Sequence, residues 1–509
     1  MFRASLFILV STLFATLAPA ESERLRTVKH FSQSLNKRVS FGIYVPEIHS
    51  AEDLFPVVYV LHGFGNSHRT AIDILKADLS AERLQLIVVF AEGEESWFVN
   101  NATNPEKQYE SYIINNLIPE VDQLFPTVAK AEARGICGWS MGGNGALMLA
   151  ARNPGIFGTV SSMSGIFDLS QHQDQWGIAE SLGAELAEDP ELWKAHSAYY
   201  LADSLIQQNI NLLIDVGIED VFTKSVDHNR ALHGYLHSKN ADHIYRELPG
   251  NHNQDLWAPN LSNHLWYHQA MMVDFVPNLK SHERHCFERL RLFARENARQ
   301  NLPTSLKKSV MLLGSSSSEG FPSELLPGYE IINRGIGSDV LGIGNRGLLR
   351  HMELSVFDQN PDVILFQMGL NDLGDMARTG APLFHEISQA YRQVLDQIQS
   401  RKPSTTVILQ RVTPVAGRYA HLAQPVDELN KELERIAKEY DFLLLDNHSP
   451  FRSDDGLLKD EYTKDGLHLN EEGMKIWADV LSKGLAEKGF LPMAYATGMG
   501  LGIKPTTEE

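Results

Sequence analysis

The sequence predicts an α/β protein built of two consecutive units, each a mainly parallel sheet covered by helices. Three observations predict it. Short apolar runs alternate with stretches of helical spacing along most of the chain, which is the pattern of βα units. That alternation fades near 271–277 and starts again at Val310. The 509 residues also suffice for two large cores, because α/β domains often exceed about 200 residues. Hydrophobic residues make up 43% and charged residues 21%, which excludes disorder and collagen-like repeats as descriptions of the whole chain. A net charge of −19 repels phosphate backbones, so nucleic acid is not an expected partner. Two cysteines, Cys137 and Cys286, build neither a disulfide framework nor a four-thiolate zinc site. They could pair in an oxidising compartment, but Cys137 ends an apolar run and reads better as a core thiol.

Residues 1–20 read as a signal peptide. Arg3 supplies a positive start, 6–18 is an apolar stretch, and Ala18-Pro19-Ala20 is a small-x-small cleavage site before Glu21-Ser22-Glu23. The apolar stretch is shorter than the ~20 residues that span a bilayer. Cleavage after Ala20 and a periplasmic or secreted product without a stable membrane anchor are therefore expected.

In the first unit, expected at 21–278, the run 57–61 ends at His62-Gly63-Phe64-Gly65, and 86–90 ends at Ala91-Glu92-Gly93. Helical spacing follows over 113–124. The run 133–137 leads into Gly138-Trp139-Ser140-Met141-Gly142-Gly143 and then a helix over 144–152, stopped by Asn153-Pro154-Gly155. Further strands are expected at 160–163, 212–216 and 243–248. Residues 281–308 carry seven Lys/Arg against three Glu, with Phe287, Leu290, Phe293 and Ala294 on one helical face. They read as a linker helix, expected at 279–305, with an arginine-rich solvated face. A basic helix for an anionic surface is the other reading. Pro303 and Ser305 mark its expected end.

The second unit, expected at 306–490, has runs at 310–313, 330–332, 363–366, 406–409 and 442–445. Helical stretches separate them around 340–356, 383–400 and 427–440, and another follows at 471–487. Residues 491–509, with Gly498, Gly500 and Gly502, read as a tail.

The G-x-S-x-G at 138–142 lies between an apolar run and a helix. A nucleophile on so tight a turn needs glycines where a Cβ would clash. Its serine needs a base, and the base needs an orienting carboxylate, in the chain order Ser, acid, His. Asp220 follows the run 212–216 and His252 follows 243–248, so both reach the sheet edge that carries Ser140. Asp215 is a rival acid but falls inside its strand. His228, His233, His237 and His243 are rival bases and read as surface residues. His233 and His237 have metal-ligand spacing, yet no third ligand accompanies them. Backbone N–H groups of Met141 and Phe64 are the expected oxyanion donors.

On the His62-Gly63 loop, "GICGWSMGGNGALMLAARNP", "DVGIED" and "ELPGNHNQDLW", residues about 25–275 resemble the branch of the α/β-hydrolases that holds esterase D, S-formylglutathione hydrolases and feruloyl esterases. The resemblance implies an α/β-hydrolase fold with Ser140 as nucleophile, Asp220 as acid and His252 as base. The formylglutathione role is cytosolic, which the leader argues against.

In the second unit Asp465-Gly466-Leu467-His468 places a carboxylate three residues from an imidazole it can orient. Ser316 follows the first strand and Asn371 the third, giving a nucleophile and an amide donor. Residues about 306–490 resemble the SGNH (GDSL-like) hydrolases, which implies a flavodoxin-like three-layer fold. The first block reads Gly314-Ser315-Ser316 here in place of Gly-Asp-Ser, whereas Gly369-Leu370-Asn371-Asp372 and Asp465-x-x-His468 match in full. Ser316, Asp465 and His468 then align with the catalytic set and Asn371 with the oxyanion amide. Ser315, Ser317 and Ser318 are rival nucleophiles only if the register slips. The second block departs, with Ser338 where the family often has Gly before Asp339. Either the Ser338 or the Gly337 backbone N–H is the expected second donor.

The sequence thus points to an exported carboxylic-ester hydrolase with two serine sites, needing no metal or organic cofactor. Acylated carbohydrate is the expected substrate, with acetyl or feruloyl-type groups. A lipid or lysophospholipid esterase, an acyltransferase to a sugar acceptor, and a carbohydrate-binding protein with one inactive unit are the rivals.

Overall fold

A computed structural model describes residues 24–73, 84–220, 223–299, 307–342, 347–379 and 384–493. The chain divides into two compact units, Met1–Asn301 and Leu302–Glu509. The leader at 1–20, the tail from 494 onward, and Pro303 and Ser305 lie outside the described residues.

The first unit carries an eight-stranded sheet of β1 (Leu25–Ser32), β2 (Lys37–Tyr44), β3 (Val57–Leu61), β4 (Ile87–Ala91), β5 (Arg134–Trp139), β6 (Thr159–Met163), β7 (Asn211–Gly217) and β8 (Ile244–Leu248). Its order is β1-β2-β4-β3-β5-β6-β7-β8. The β1–β2 and β2–β4 pairs are antiparallel and all others parallel. The strands β3 to β6 are buried along their whole length, and of these β3 and β4 are unbroken apolar runs in the sequence. Tyr59 and Leu61 pack on one side of the sheet with Leu147 and Leu232, and Val58 and Val60 on the other with Leu261 and Leu265. The hairpin β1–β2 escaped the sequence reading for a physical reason. In β1 only His30 and Ser32 are buried, and Phe31 is exposed, so no apolar run forms.

Four helices position the first unit's chemistry: α1 (Met141–Arg152), α2 (Ser225–Ser238), α3 (Gln254–Met271) and α4 (Ser281–Arg299). The expected helix at 113–124 is instead a wide turn of helix over Tyr112–Leu117 followed by Ile118–Leu124. Pro119 has no N–H for the regular ladder, and Ile118 N–H reaches back to Ile113 O. The expected linker helix belongs to the first unit. Phe287 stacks on Trp266 of α3, and Leu290, Phe293 and Ala294 are buried as the spacing predicts. Two of its arginines serve this packing: Arg284 donates to Val273 O and Val276 O, and Arg291 pairs with Asp274. Cys137 is buried and no disulfide joins it to Cys286.

A chain of buried polar groups bolts α3 to the sheet. His264 links Asp215 Oδ2 at 2.9 Å to Ser161 Oγ at 2.7 Å. His268 links the same Ser161 Oγ at 2.9 Å to Thr159 Oγ1 at 3.0 Å. Asp215 is therefore engaged inside β7, as its strand position implied. A buried polar group is tolerated only when it is bonded in this way.

The second unit has β9 (Ser309–Gly314), β10 (Glu330–Gly335), β11 (Val363–Gln367), β12 (Thr406–Gln410) and β13 (Leu443–Leu445). Their order is β10-β9-β11-β12-β13, with every pair parallel. In the unit's own sequence that is 2-1-3-4-5, the flavodoxin-like order. Met311 and Leu313 face Tyr391 and Leu433, while Val310 and Leu312 face Trp477 and Leu481, which makes three layers. The helices used below are α5 (Ser316–Glu319), α6 (Leu370–Thr379), α7 (Phe384–Arg401), α8 (Ala423–Tyr440) and α9 (Glu471–Glu487). The helix expected from 340 begins only at Leu348. Gly347 precedes it at φ +101°, where a Cβ would lie 2.4 Å from Val340 O. No helix among the described residues is long and apolar enough to cross a membrane.

Candidate active sites

In the first unit, β5 delivers Ser140 at φ 55°, ψ −118°, between the strand and α1. Such backbone is costly for a residue with a Cβ and persists because the surroundings enforce it. A Cβ on Gly142 would lie 2.2 Å from Leu61 O, so the turn needs glycine there. His252 Nε2 lies 2.8 Å from Ser140 Oγ, and His252 Nδ1 is hydrogen-bonded to Asp220 Oδ2. Asp220 is fully buried at the end of β7. Burial alone would raise its carboxyl. The bonds from His252, Ser225 and Thr223 outweigh that and hold it below the usual carboxylate range. Thr223 Oγ1 donates at 2.7 Å, and Ser225, the first residue of α2, donates to the oxygen that meets His252. Neither hydroxyl was singled out in the sequence; their position three and five residues after the acid is the signal that could have found them. Trp257 of α3 meets the His252 ring edge-on at 4.9 Å and stacks on Trp139.

Met141 is the first helical residue of α1, so its N–H has no acceptor within the helix. The loop 62–65 crosses close over the nucleophile, because a Cβ on Gly63 would lie 3.3 Å from Ser140 Cβ. Phe64 follows directly. The four rival histidines are elsewhere, and two of them correct the expectation of a surface position. His228 is buried in α2, edge-on to His172 at 5.2 Å. His243 is buried just before β8, 2.8 Å from His233 Nδ1. His233 stacks on Tyr245 and is 6.1 Å from the His237 ring.

In the second unit, Ser316 opens α5 directly after β9, and its Oγ lies 2.9 Å from His468 Nε2. His468 Nδ1 meets Asp465 Oδ2 at 2.7 Å, while Asp465 Oδ1 accepts the N–H of His468 at 2.8 Å and of Leu467 at 2.9 Å. Burial opposes ionisation of Asp465, but these bonds together outweigh it and hold the carboxyl well below the usual range. The Asp465 and His468 side chains are 40% and 44% exposed, against 0% and 15% for Asp220 and His252, so the second site is the more open.

The donor loop of this site is held from α6. Asn371 Nδ2 donates to Asp339 O at 2.8 Å, which uses one of the two amide hydrogens and leaves the other. Asp372 Oδ1 accepts the Leu341 N–H at 3.0 Å. Ser338 sits at φ 63°, the left-handed region that explains a glycine preference at this position. Gly337 is corrected as a donor, because its N–H donates to Glu319 Oε2 at 2.5 Å. Of the two expected backbone donors, Ser338 is the one whose N–H is not given to Glu319.

The two units are expected to respond oppositely to mild acid. Burial lowers His30, His172, His196, His243 and His268 of the first unit, and pushes His228 and His233 down to about 4. An unfolded histidine titrates near ~6.5, so below that pH the unfolded chain binds more protons and the first unit loses stability. In the second unit burial, with Asp339 nearby, pushes Asp372 up to about 7. A raised carboxyl contributes stability that is present in acid and lost as pH rises through its folded value. Limited proteolysis on lowering the pH from ~6.5 to ~5 is expected to cut the first unit before the second; simultaneous cutting would refute this reading.

Two serine–histidine–carboxylate chains, each at the C-terminal edge of a parallel sheet, are the apparatus of acyl transfer through a serine. Residues 32–268 match the family described as "Putative esterase", and residues 314–476 match the GDSL-like Lipase/Acylhydrolase family. The chain is a serine carboxylic ester hydrolase, with matches to these two families arranged in tandem. Similar solved structures include an S-formylglutathione hydrolase of Staphylococcus aureus at 21% identity, covering 48% of this chain and 98% of that one with a TM-score of 0.43. An S-formylglutathione hydrolase of Agrobacterium tumefaciens is 22% identical, covering 51% and 99%, with a TM-score of 0.43. A ferulic acid esterase of Anaeromyces mucronatus is 18% identical, covering 48% and 88%, with a TM-score of 0.33.

Proposed function

We propose that the protein is an exported esterase that removes acyl groups, of acetyl or feruloyl type, from carbohydrate, with a separate working site in each unit. The observation that carries this reading is the pair of complete hydrogen-bonded sets, Ser140–His252–Asp220 and Ser316–His468–Asp465. In each, the serine attacks the ester carbonyl while histidine takes its proton, the carboxylate steadies the imidazolium, and water then releases the acyl group. Backbone N–H groups of Phe64 and Met141 hold the first oxyanion; Asn371 and the Ser338 N–H hold the second. The open setting of Asp465 and His468 suits an ester borne on a bulky polymer, and two ester sites on one chain suit a polymer with more than one ester. Neither site needs a metal or organic cofactor, and nucleic acid is not a partner.

A panel of acetyl, butyryl, long-chain and feruloyl esters, free and on polysaccharide, tests the substrate class. Preference for long-chain esters would favour a lipid or lysophospholipid esterase. Transfer to an added sugar in place of release to water would make it an acyltransferase. Export is tested by N-terminal sequencing, with Glu21 expected as the first residue of the exported protein and any residue before Ala18 refuting the cleavage site.

A further inference from the structure

Parallel pairing of β3 with β4 sets Leu61 opposite Ala91, so the residues that follow, His62 and Glu92, emerge side by side. The Glu92 carboxylate is largely buried, as are His62 and His68. Its Oε2 is hydrogen-bonded to His68 Nδ1 and accepts the His68 N–H at 3.4 Å. Its Oε1 lies 3.3 Å from His62 Nε2 and accepts the N–H of Gly93 at 3.2 Å and of Glu94 at 3.0 Å. His62 Nδ1 donates to Gly63 O at 2.9 Å, and its Nε2 accepts the Gly93 N–H at 3.0 Å. The carboxylate thus holds the far end of the loop 62–68 directly at His68, and the near end through the Gly93 N–H that it shares with His62 Nε2; this is the loop that crosses Ser140 and carries Phe64.

The base of this grip is strained. Trp97 and Phe98 are buried at φ 55° and 56°, and the Phe98 ring packs against His62 at 5.6 Å. A Cβ on Gly93 would lie 2.3 Å from that ring. Backbone of this kind is kept where position matters more than local comfort.

We propose that Glu92 is a positioning residue for the first site, holding His62 and His68 so that the Phe64 N–H meets the oxyanion formed at Ser140. The proposal rests on Ser140 as nucleophile. Misplacing an oxyanion donor weakens binding of the transition state but not of the ester, so kcat falls and KM stays.

The test uses the full chain with Ser316→Ala, so that only the first site reports. Ser140→Ala in that chain must abolish the remaining activity; if it does not, the reading of the first site fails, whatever Glu92 does. With that established, Glu92→Ala is expected to lower kcat by up to about 10²-fold, the effect of an ångström-scale misplacement, with KM within about twofold. Glu92→Gln keeps one acceptor and should fall between. Affinity for a boronic acid that forms a tetrahedral adduct on Ser140 should fall by the same factor as kcat/KM, while a carboxamide substrate analogue binds unchanged. An unchanged kcat in folded Glu92→Gln, or losses of KM and analogue binding that track kcat, would overturn the proposal. If Glu92→Ala does not fold, His68→Gln supplies the second variant, with the same signature expected at smaller size.

Discussion

Replacing Ser140 by alanine is expected to lower hydrolysis of one ester class by about 10⁶-fold and leave another class intact, with Ser316→Ala doing the reverse. The size follows from removing a nucleophile whose base and carboxylate act only through it. The independence follows from two complete hydrogen-bonded sets on two separate sheets. Steady-state rates on the ester panel for the two single variants and the double variant measure it directly. Loss of every activity from either single change would show one working site, with the other unit a scaffold.

Asn371→Ala should cut kcat of the second site by about 10²–10³-fold, the usual loss for one oxyanion donor. The Asp339 carbonyl already orients the amide, so its second hydrogen needs no reorganisation when charge develops. Ser338→Gly should be neutral to slightly activating and stabilise the second unit by up to about 1 kcal/mol, because it relieves a left-handed serine. Ser338→Ala keeps that backbone and should also be mild. All three are assayed with Ser140→Ala present. A large loss in Ser338→Ala alone would mean that the hydroxyl, not the backbone N–H, meets the substrate.

Much of this was legible before any coordinates, and the reason is the parallel sheet. Strands buried on both faces appear as apolar runs, and chemistry gathers where those runs end. Ser140, Asp220, His252, Ser316 and Asn371 all follow such runs, whereas His468 was marked by its spacing from Asp465. What the runs do not mark was missed. The edge strand β1 has only two buried residues, both polar, and in β2 Ser40 and Gly42 interrupt the apolar residues, so neither left a run. Thr223 and Ser225 are ordinary loop hydroxyls until the chain folds them onto Asp220. Glu92 stood only as a residue at the end of a run, because its partners come from another strand end. Gly337 stood as an alternative to Ser338, and the sequence could not show that the carboxylate of Glu319 takes its N–H.

The buried chain beneath the first site has a consequence of its own. Each hydroxyl in it carries one hydrogen and each neutral ring carries one, so the links are not chosen separately. With Asp215 accepting from His264 Nε2–H, a neutral His264 requires Ser161 to donate to its Nδ1, His268 Nε2–H to donate to Ser161, and Thr159 to donate to His268 Nδ1. Thr159, Ser161, His264 and His268 therefore form one chain of a single direction, set from the Asp215 end, and loss of the Thr159 hydroxyl would strand the buried His268 Nδ1 without its donor while leaving the links nearer Asp215 as they are.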